Sequence, residues 1–273
     1  MSSALARQVS LGVSSSAAEG SFMTGLSDER FYQEIAESTT GIARVVMEAD
    51  LIRQVPTCPD WTLRQLATHV GRAQRWAAEI VRTRSAEFIP FRSVPDGKAP
   101  RQEGDLEAWL LAGAQRLVDG LQEAGADPVW TLVGMGPASF WARRMAHETA
   151  VHRIDAELTA GRDVGLAADF AADAISEWLS LLGKNDAVAL GDGEVLHIHA
   201  TDEGLDGAGE WLVRRSSSGL NVASGHGKGD VVLRGPAAAL LLVLLRRRPA
   251  DDPAIEILGD RALLTRWLER TPY

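Results

Sequence analysis

Glu148 and His152 stand four residues apart in a run, residues 143–155, that contains no helix breaker. On a helix that spacing places two side chains on one face, one turn apart. A carboxylate and an imidazole so arranged can grip one metal ion from one side. His69 lies in another helical stretch, residues 63–81, and could close the triangle. Two histidines and a carboxylate, with a fourth position open, make a catalytic zinc set. By spacing alone, a Glu and a His one turn apart more often form a solvated pair. The zinc-protease pattern does not apply, because three residues rather than two separate His147-Glu148 from His152. His147 and His152 diverge by roughly 140° around a helix of about 3.6 residues per turn, so His147 belongs to a second face.

Helical stretches must position these groups. Residues 28–51 carry apolar side chains at Phe31, Ile35, Ile42, Val45, Val46 and Leu51. Pro56 and Pro59 interrupt the chain, and Asp60 or Thr62 can cap the helix that carries His69. A loop rich in Pro over 88–101, a helix over 105–124 and a second loop with Asp127-Pro128 and Gly134–Pro137 follow. The helix bearing Glu148 and His152 spans 139–160. Four amphipathic helices suggest a bundle, which places metal sites inside, on facing helices. A fifth helix, 167–182, leads to β-branched stretches at 195–200, 211–214 and 231–233, a helix over 236–247, a strand at 255–258 and a last helix over 260–269. The expected fold class is α+β: a four-helix bundle followed by a small α+β domain. The boundaries read as a disordered leader over 1–27, a bundle over 28–165 and a C-terminal domain over 166–273, with Met23 as an alternative start.

The 273 residues carry 28 basic and 37 acidic side chains, a net charge of −9, which argues against a nucleic-acid partner. No apolar run reaches the roughly 18 residues of a membrane span. The single cysteine, Cys58, forms no internal disulfide and points to a reducing, cytoplasmic setting. It lies between Thr57 and Pro59 in a turn, and an unpaired cysteine there reads as packed rather than nucleophilic. Trp61 and Trp76 read as core, with a substrate wall as the alternative. His197 and His199 alternate on a strand and share a face, but with no third ligand evident they read as solvent-facing. His226, between Gly225 and Gly227, reads as loop.

The motif Val55-Pro56-Thr57-Cys58-Pro59-Asp60-Trp61-Thr62, with Leu66 and His69-Val70-Gly71 after it, resembles the N-terminal motif of the mycothiol-dependent maleylpyruvate isomerase family. His147-Glu148-Thr149-Ala150-Val151-His152-Arg153, with Asp155, resembles its second motif. Val231-Val232-Leu233-Arg234-Gly235, the leucine-rich helix after it and Ile257-Leu258-Gly259-Asp260 resemble its C-terminal domain. The resemblance covers about residues 28 to 270. It implies a DinB-like four-helix bundle joined to a sterol-carrier-like domain. It also implies a divalent metal, usually zinc, whose ligands map onto His69, Glu148 and His152. The cosubstrate implied is mycothiol, a cysteine conjugate of actinobacteria.

Zinc deprotonates a coordinating thiol, and the thiolate is the nucleophile. In an isomerase the thiolate adds to a conjugated cis double bond, the new single bond rotates, and expulsion of the thiolate gives the trans product. In an S-transferase it attacks an electrophile and stays attached. A small anionic electrophile needs a cation, and Arg234, beside a glycine at a strand end, is the first candidate for catalysis and for a carboxylate clamp. The resemblance also points to an arginine after the leucine-rich helix, among Arg246, Arg247 and Arg248, with Arg246 taken as a substrate-binding candidate. Asp155, on the face of His152, is a candidate to orient a ligand histidine or to pair with Arg144 or Arg72; Arg144 is the second supporting candidate. Such a site is expected between the bundle mouth and the C-terminal domain. Two alternatives remain open: a metal-dependent hydrolase on the same bundle, and a non-catalytic ligand-binding protein.

Overall fold

The computed structural model describes residues 25–182, 189–216 and 219–271. Residues 1–24 of the expected leader, Met23 included, lie outside the described residues. The chain divides into two compact units, Ser27–Val164 and the residues from Gly165 onward.

The first unit is built on four helices: α1 (Asp28–Glu48), α2 (Leu63–Thr83), α3 (Leu106–Ala124) and α4 (Ser139–Thr159). Helix α1 packs on α4 and α3, and α2 packs on α3 and α4. Ser27, expected in the leader, is instead the N-cap of α1, accepting from the Arg30 amide. Thr62 caps α2 in a reciprocal capping box with Gln65, which fixes where the His69 helix begins. Leu51, expected at the end of α1, lies in the turn beyond it, buried, and its carbonyl accepts from the Arg64 amide at 3.0 Å. The core runs through Ile42, Val45, Leu63, Leu66, Val70, Leu106 and Leu110. Helix α4 buries residues around most of its circumference, including His147, His152 and Asp155.

Two short hairpins replace expected irregular segments. Strands β1 (Gln54–Val55) and β2 (Cys58–Thr62) pair antiparallel, so Cys58 opens a strand and the turn is Pro56-Thr57. Strands β3 (Pro128–Thr131) and β4 (Gly134–Pro137) pair across the stretch that reads as a loop. Proline lacks a ladder donor and so tends to lie on edge strands. Two-stranded sheets are all edge, which is why Pro59, Pro128 and Pro137 are accommodated.

The second unit holds α5 (Ala168–Leu182), β5 (Val195–Ala200), β6 (Glu210–Ser216), β7 (Gly219–Ser224), β8 (Val231–Gly235), α6 (Ala237–Leu244), β9 (Glu256–Gly259) and α7 (Arg261–Arg270). Its five strands lie in the order β7-β6-β5-β8-β9; β5 and β8 are parallel and the other pairs antiparallel. One face carries Leu196, Ile198, Trp211, Val213, Val231 and Leu233, all buried. The indole of Trp211 donates to Ser176 Oγ at 2.9 Å, tying β6 to α5, and Trp178 meets Trp267 of α7 edge-on at 6.2 Å. Strand β7 has no counterpart in the alternating pattern. The expected solvent exposure of His197 is incorrect: the Gly-rich segment 225–229 folds over it and leaves 2% of the residue accessible. Among the described residues no helix is long and apolar enough to cross a membrane.

Candidate metal centre

Helices α2 and α4 bring His69, Glu148 and His152 together, with their donor atoms all within 4.8 Å of one another. Glu148 Oε1 stands 3.0 Å from His69 Nε2 and 3.4 Å from His152 Nε2. The two imidazole rings are 5.0 Å apart and nearly perpendicular. Each side chain contributes one donor atom to the cluster, a nitrogen and oxygen set of the kind that zinc sites use.

The atoms turned away from the cluster are engaged. His152 Nδ1 lies 2.9 Å from Asp155 Oδ2, which leaves Nε2 directed at Glu148. Asp155 is fully buried, and the Thr57 hydroxyl donates to its Oδ1 at 2.6 Å. Arg144 Nη2 donates to Glu148 Oε2 at 3.0 Å, so Oε1 is the oxygen left for the histidines. Asp155 thus pairs with His152 and Thr57, and Arg144 with Glu148. This carboxylate–histidine arrangement behind a ligand nitrogen fixes ring orientation and tautomer.

Electrostatics follow from burial and these contacts. Burial lowers the pKa of His69 below its ordinary value against the opposing hydrogen bond to Glu148, which favours the neutral ring. Burial works against the charge on Glu148, yet His152, His69 and Arg144 together hold its carboxyl well below the usual carboxylate range. Burial also works against a charged His152, but Asp155 and Glu148 raise it to about 9. In the metal-free protein His152 therefore carries a proton at neutral pH, which a metal must displace.

Three surrounding residues escape sequence reasoning. Trp61, expected as core, is half-buried and places its ring 4.8 Å from His69 and 5.9 Å from His152, forming a wall against both imidazoles. Thr57 and Cys58 reach Asp155 from β2 and its turn, the Cys58 sulfur at 3.8 Å. They lie 98 and 97 residues from their partner, beyond any local pattern. The motif around Cys58 carried the only available signal. His147 points elsewhere: it is buried and meets Phe31 of α1 edge-on at 5.8 Å.

The arginine candidates belong to the second unit. Arg234 on β8 is half-exposed and its Nη1 lies 3.3 Å from Glu256 Oε2, its partner in register on β9. Arg246 sits at φ +58° and its guanidinium donates to the Thr271 carbonyl, closing the end of α6 against the end of α7. Arg248 pairs with Asp252 at 3.3 Å, and Arg247 donates to the Leu245 carbonyl at 2.9 Å.

A helical unit with a two-histidine, one-glutamate centre, followed by a sheet unit, defines the class of protein. Residues 32–157 match the model of the mycothiol maleylpyruvate isomerase N-terminal domain, and residues 169–266 match that of the C-terminal domain of the same isomerases. The chain belongs to the mycothiol-dependent maleylpyruvate isomerase family. Among solved structures it is similar to a mycothiol-dependent maleylpyruvate isomerase at 18% identity and TM-score 0.55, covering 86% of this chain and 95% of that one. A histidine-to-alanine variant of such an isomerase gives 17% identity and TM-score 0.57 over the same shares. No curated protein matches the chain.

Proposed function

We propose that the protein is a zinc-dependent enzyme that uses mycothiol to act on a small anionic electrophile, by cis–trans isomerisation of a maleylpyruvate-like substrate or by S-transfer. The observation that carries this reading is the convergence of His69, Glu148 and His152 donor atoms within 4.8 Å, in a member of this family. The donor set suits the ion: two imidazole nitrogens and one carboxylate oxygen supply three of the four positions that zinc takes, with His152 backed by Asp155 and Glu148 by Arg144.

A bound zinc ion supplies a Lewis acid that keeps a thiol deprotonated at neutral pH. The chain's own residues do the rest. Asp155 accepts from His152 Nδ1 and so offers the Nε2 lone pair to the centre. Arg144 restrains Glu148 by its outer oxygen. Thr57 holds Asp155 in place. Trp61 shields the imidazoles from bulk water on one side, which strengthens charge interactions there.

Arg234 is the carboxylate clamp in this reading. Its guanidinium and Glu256 are each about half-exposed, at 48% and 53%, so exchange of Glu256 for a substrate carboxylate leaves no buried charge unpaired. Arg246 is the weaker candidate, since its guanidinium already serves the Thr271 carbonyl.

The test is turnover of maleylpyruvate by zinc-loaded protein with and without mycothiol. Turnover that requires both supports the proposal. Hydrolysis of a substrate by zinc-loaded protein without any thiol would replace it with the hydrolase alternative.

A further inference from the structure

Four side chains converge within the second unit. His197 and His199 of β5, Glu210 of β6 and His226 of the β7–β8 connection place one donor atom each within 4.8 Å of the others. Glu210 Oε2 is the hub: His226 Nδ1 lies 2.8 Å from it, His197 Nε2 2.9 Å and His199 Nδ1 3.9 Å. The rings of His197 and His199 stack 5.8 Å apart, and the His226 ring stands nearly perpendicular to both.

Strand geometry accounts for three of the four. Alternation along β5 puts His197 and His199 on one face of the sheet. In the antiparallel β5–β6 register Glu210 lies directly across from His199 and therefore shares that face. The fourth arrives with the segment Gly225-His226-Gly227-Lys228-Gly229. The Gly225 amide donates to the Glu210 carbonyl at 3.0 Å, with Gly225 at φ +117°, a conformation that glycine adopts freely. A Cβ on Gly229 would stand 2.9 Å from His197 Cβ and 2.7 Å from the Val231 carbonyl oxygen. Glycine is thus what allows this segment to lie flat on the sheet and bring His226 over Glu210.

We propose that His197, His199, Glu210 and His226 form a second metal site, for a divalent transition ion of the zinc class. Three imidazole nitrogens and one carboxylate oxygen suit zinc, cobalt, nickel or copper and not calcium or magnesium, which take oxygen donors. Nitrogen and oxygen ligands about 2.0–2.2 Å from zinc fit donor atoms spaced as these are. His226 is 76% exposed and leaves an entry path from solvent. Arg234, the registered neighbour of His199 on β8, has Glu256 Oε2 3.3 Å from its Nη1, so a carboxylate accompanies this cation beside the site. Such an ion links β5, β6 and the 225–229 segment and makes that segment's order depend on metal.

The test is the number of zinc ions bound per chain, by titration against a chromophoric chelator, in wild type, in His199→Ala/His226→Ala and in Glu210→Gln. The double variant removes two partly exposed rings and leaves buried His197 in place; Glu210→Gln keeps the side-chain shape. The double variant is expected to bind one equivalent fewer than wild type, and Glu210→Gln to hold that equivalent more than about 100-fold more weakly, given that even indirect support of a ligand is worth 10–100-fold. A His69→Ala/His152→Ala protein is expected to retain the second-site equivalent, so loss of the first centre and absence of the second are read separately. Amide exchange over 225–229 should slow on zinc addition in wild type and not in the double variant. Equal zinc uptake by wild type and double variant would overturn the proposal and leave a hydrogen-bonded His–Glu cluster.

Discussion

Asp155 links the candidate centre to the hairpin before α2, since one of its oxygens takes His152 and the other Thr57. Asp155→Asn removes the charge behind His152, and zinc affinity at the first centre should fall about 10–100-fold in a competition assay. Unchanged affinity would mean that His152 is oriented by packing alone. His152 also sets a pH dependence. Its pKa in the metal-free fold, about 9, lies above its ordinary value of 6.5. A raised folded-state pKa contributes stability that is present in full below about pH 6.5 and is lost as pH rises through about 9. The urea midpoint of chelator-treated protein should therefore drop from pH 6.5 to 9.5, and His152→Gln should lose that part of the slope. Zinc affinity should move the other way, rising toward pH 9 as less proton must be displaced. Spacing and motif made the convergence of His69, Glu148 and His152 readable in the sequence because each sits within a helix of regular period. Trp61 and Thr57 were not readable as neighbours of the site, because a hairpin delivers them. Glu210 and His226 were missed because strand register and a folded-back loop have no local signature.

At the scale of elements, small contacts decide where the helices stand. Gly71 lies two residues beyond His69, and a Cβ there would collide with the Trp109 ring of α3. Arg75 stacks over that ring at 4.1 Å and donates to the Gly71 carbonyl at 3.1 Å, locking the α2–α3 contact. Gly71→Ala should cost about 1–3 kcal/mol by overpacking, read from urea unfolding. Loss of the capping hydroxyl in Thr62→Ala should cost about 1 kcal/mol by the same measurement. If Gly71→Ala were neutral, the close approach of α2 and α3 would not depend on the missing side chain. The four long helices were legible from apolar spacing, with ends within a few residues. The β1–β2 and β3–β4 hairpins were not, since their prolines signal a break and only pairing across a two-stranded edge reveals the strand. Strand β7, Gly-Leu-Asn-Val-Ala-Ser, is half-exposed on the sheet edge and carries too little alternation to read.

At the scale of the molecule, the three candidate ligands of the first centre and their hydrogen-bond partners all precede residue 160 and lie in one unit. The unit Ser27–Val164 expressed alone should fold and bind one zinc ion. It should not turn over an anionic substrate, because Arg234, the proposed carboxylate clamp, is missing from it. In the whole chain Arg234→Ala should keep the metal and lose about a hundredfold in kcat/KM, the effect of removing one positioned charge worth about 3 kcal/mol. A helical half followed by a mixed half was legible in the change from helical to alternating patterns, although the helix α5 that opens the second unit reads like the helices before it. The central claim is that His69, Glu148 and His152 hold the functional ion. Its most direct measurement is zinc binding stoichiometry of wild type against His69→Ala and His152→Ala, each checked for native helix content. Each variant should lose one tightly held equivalent per chain relative to wild type; if both retained every equivalent at wild-type affinity, the centre would not be a metal site.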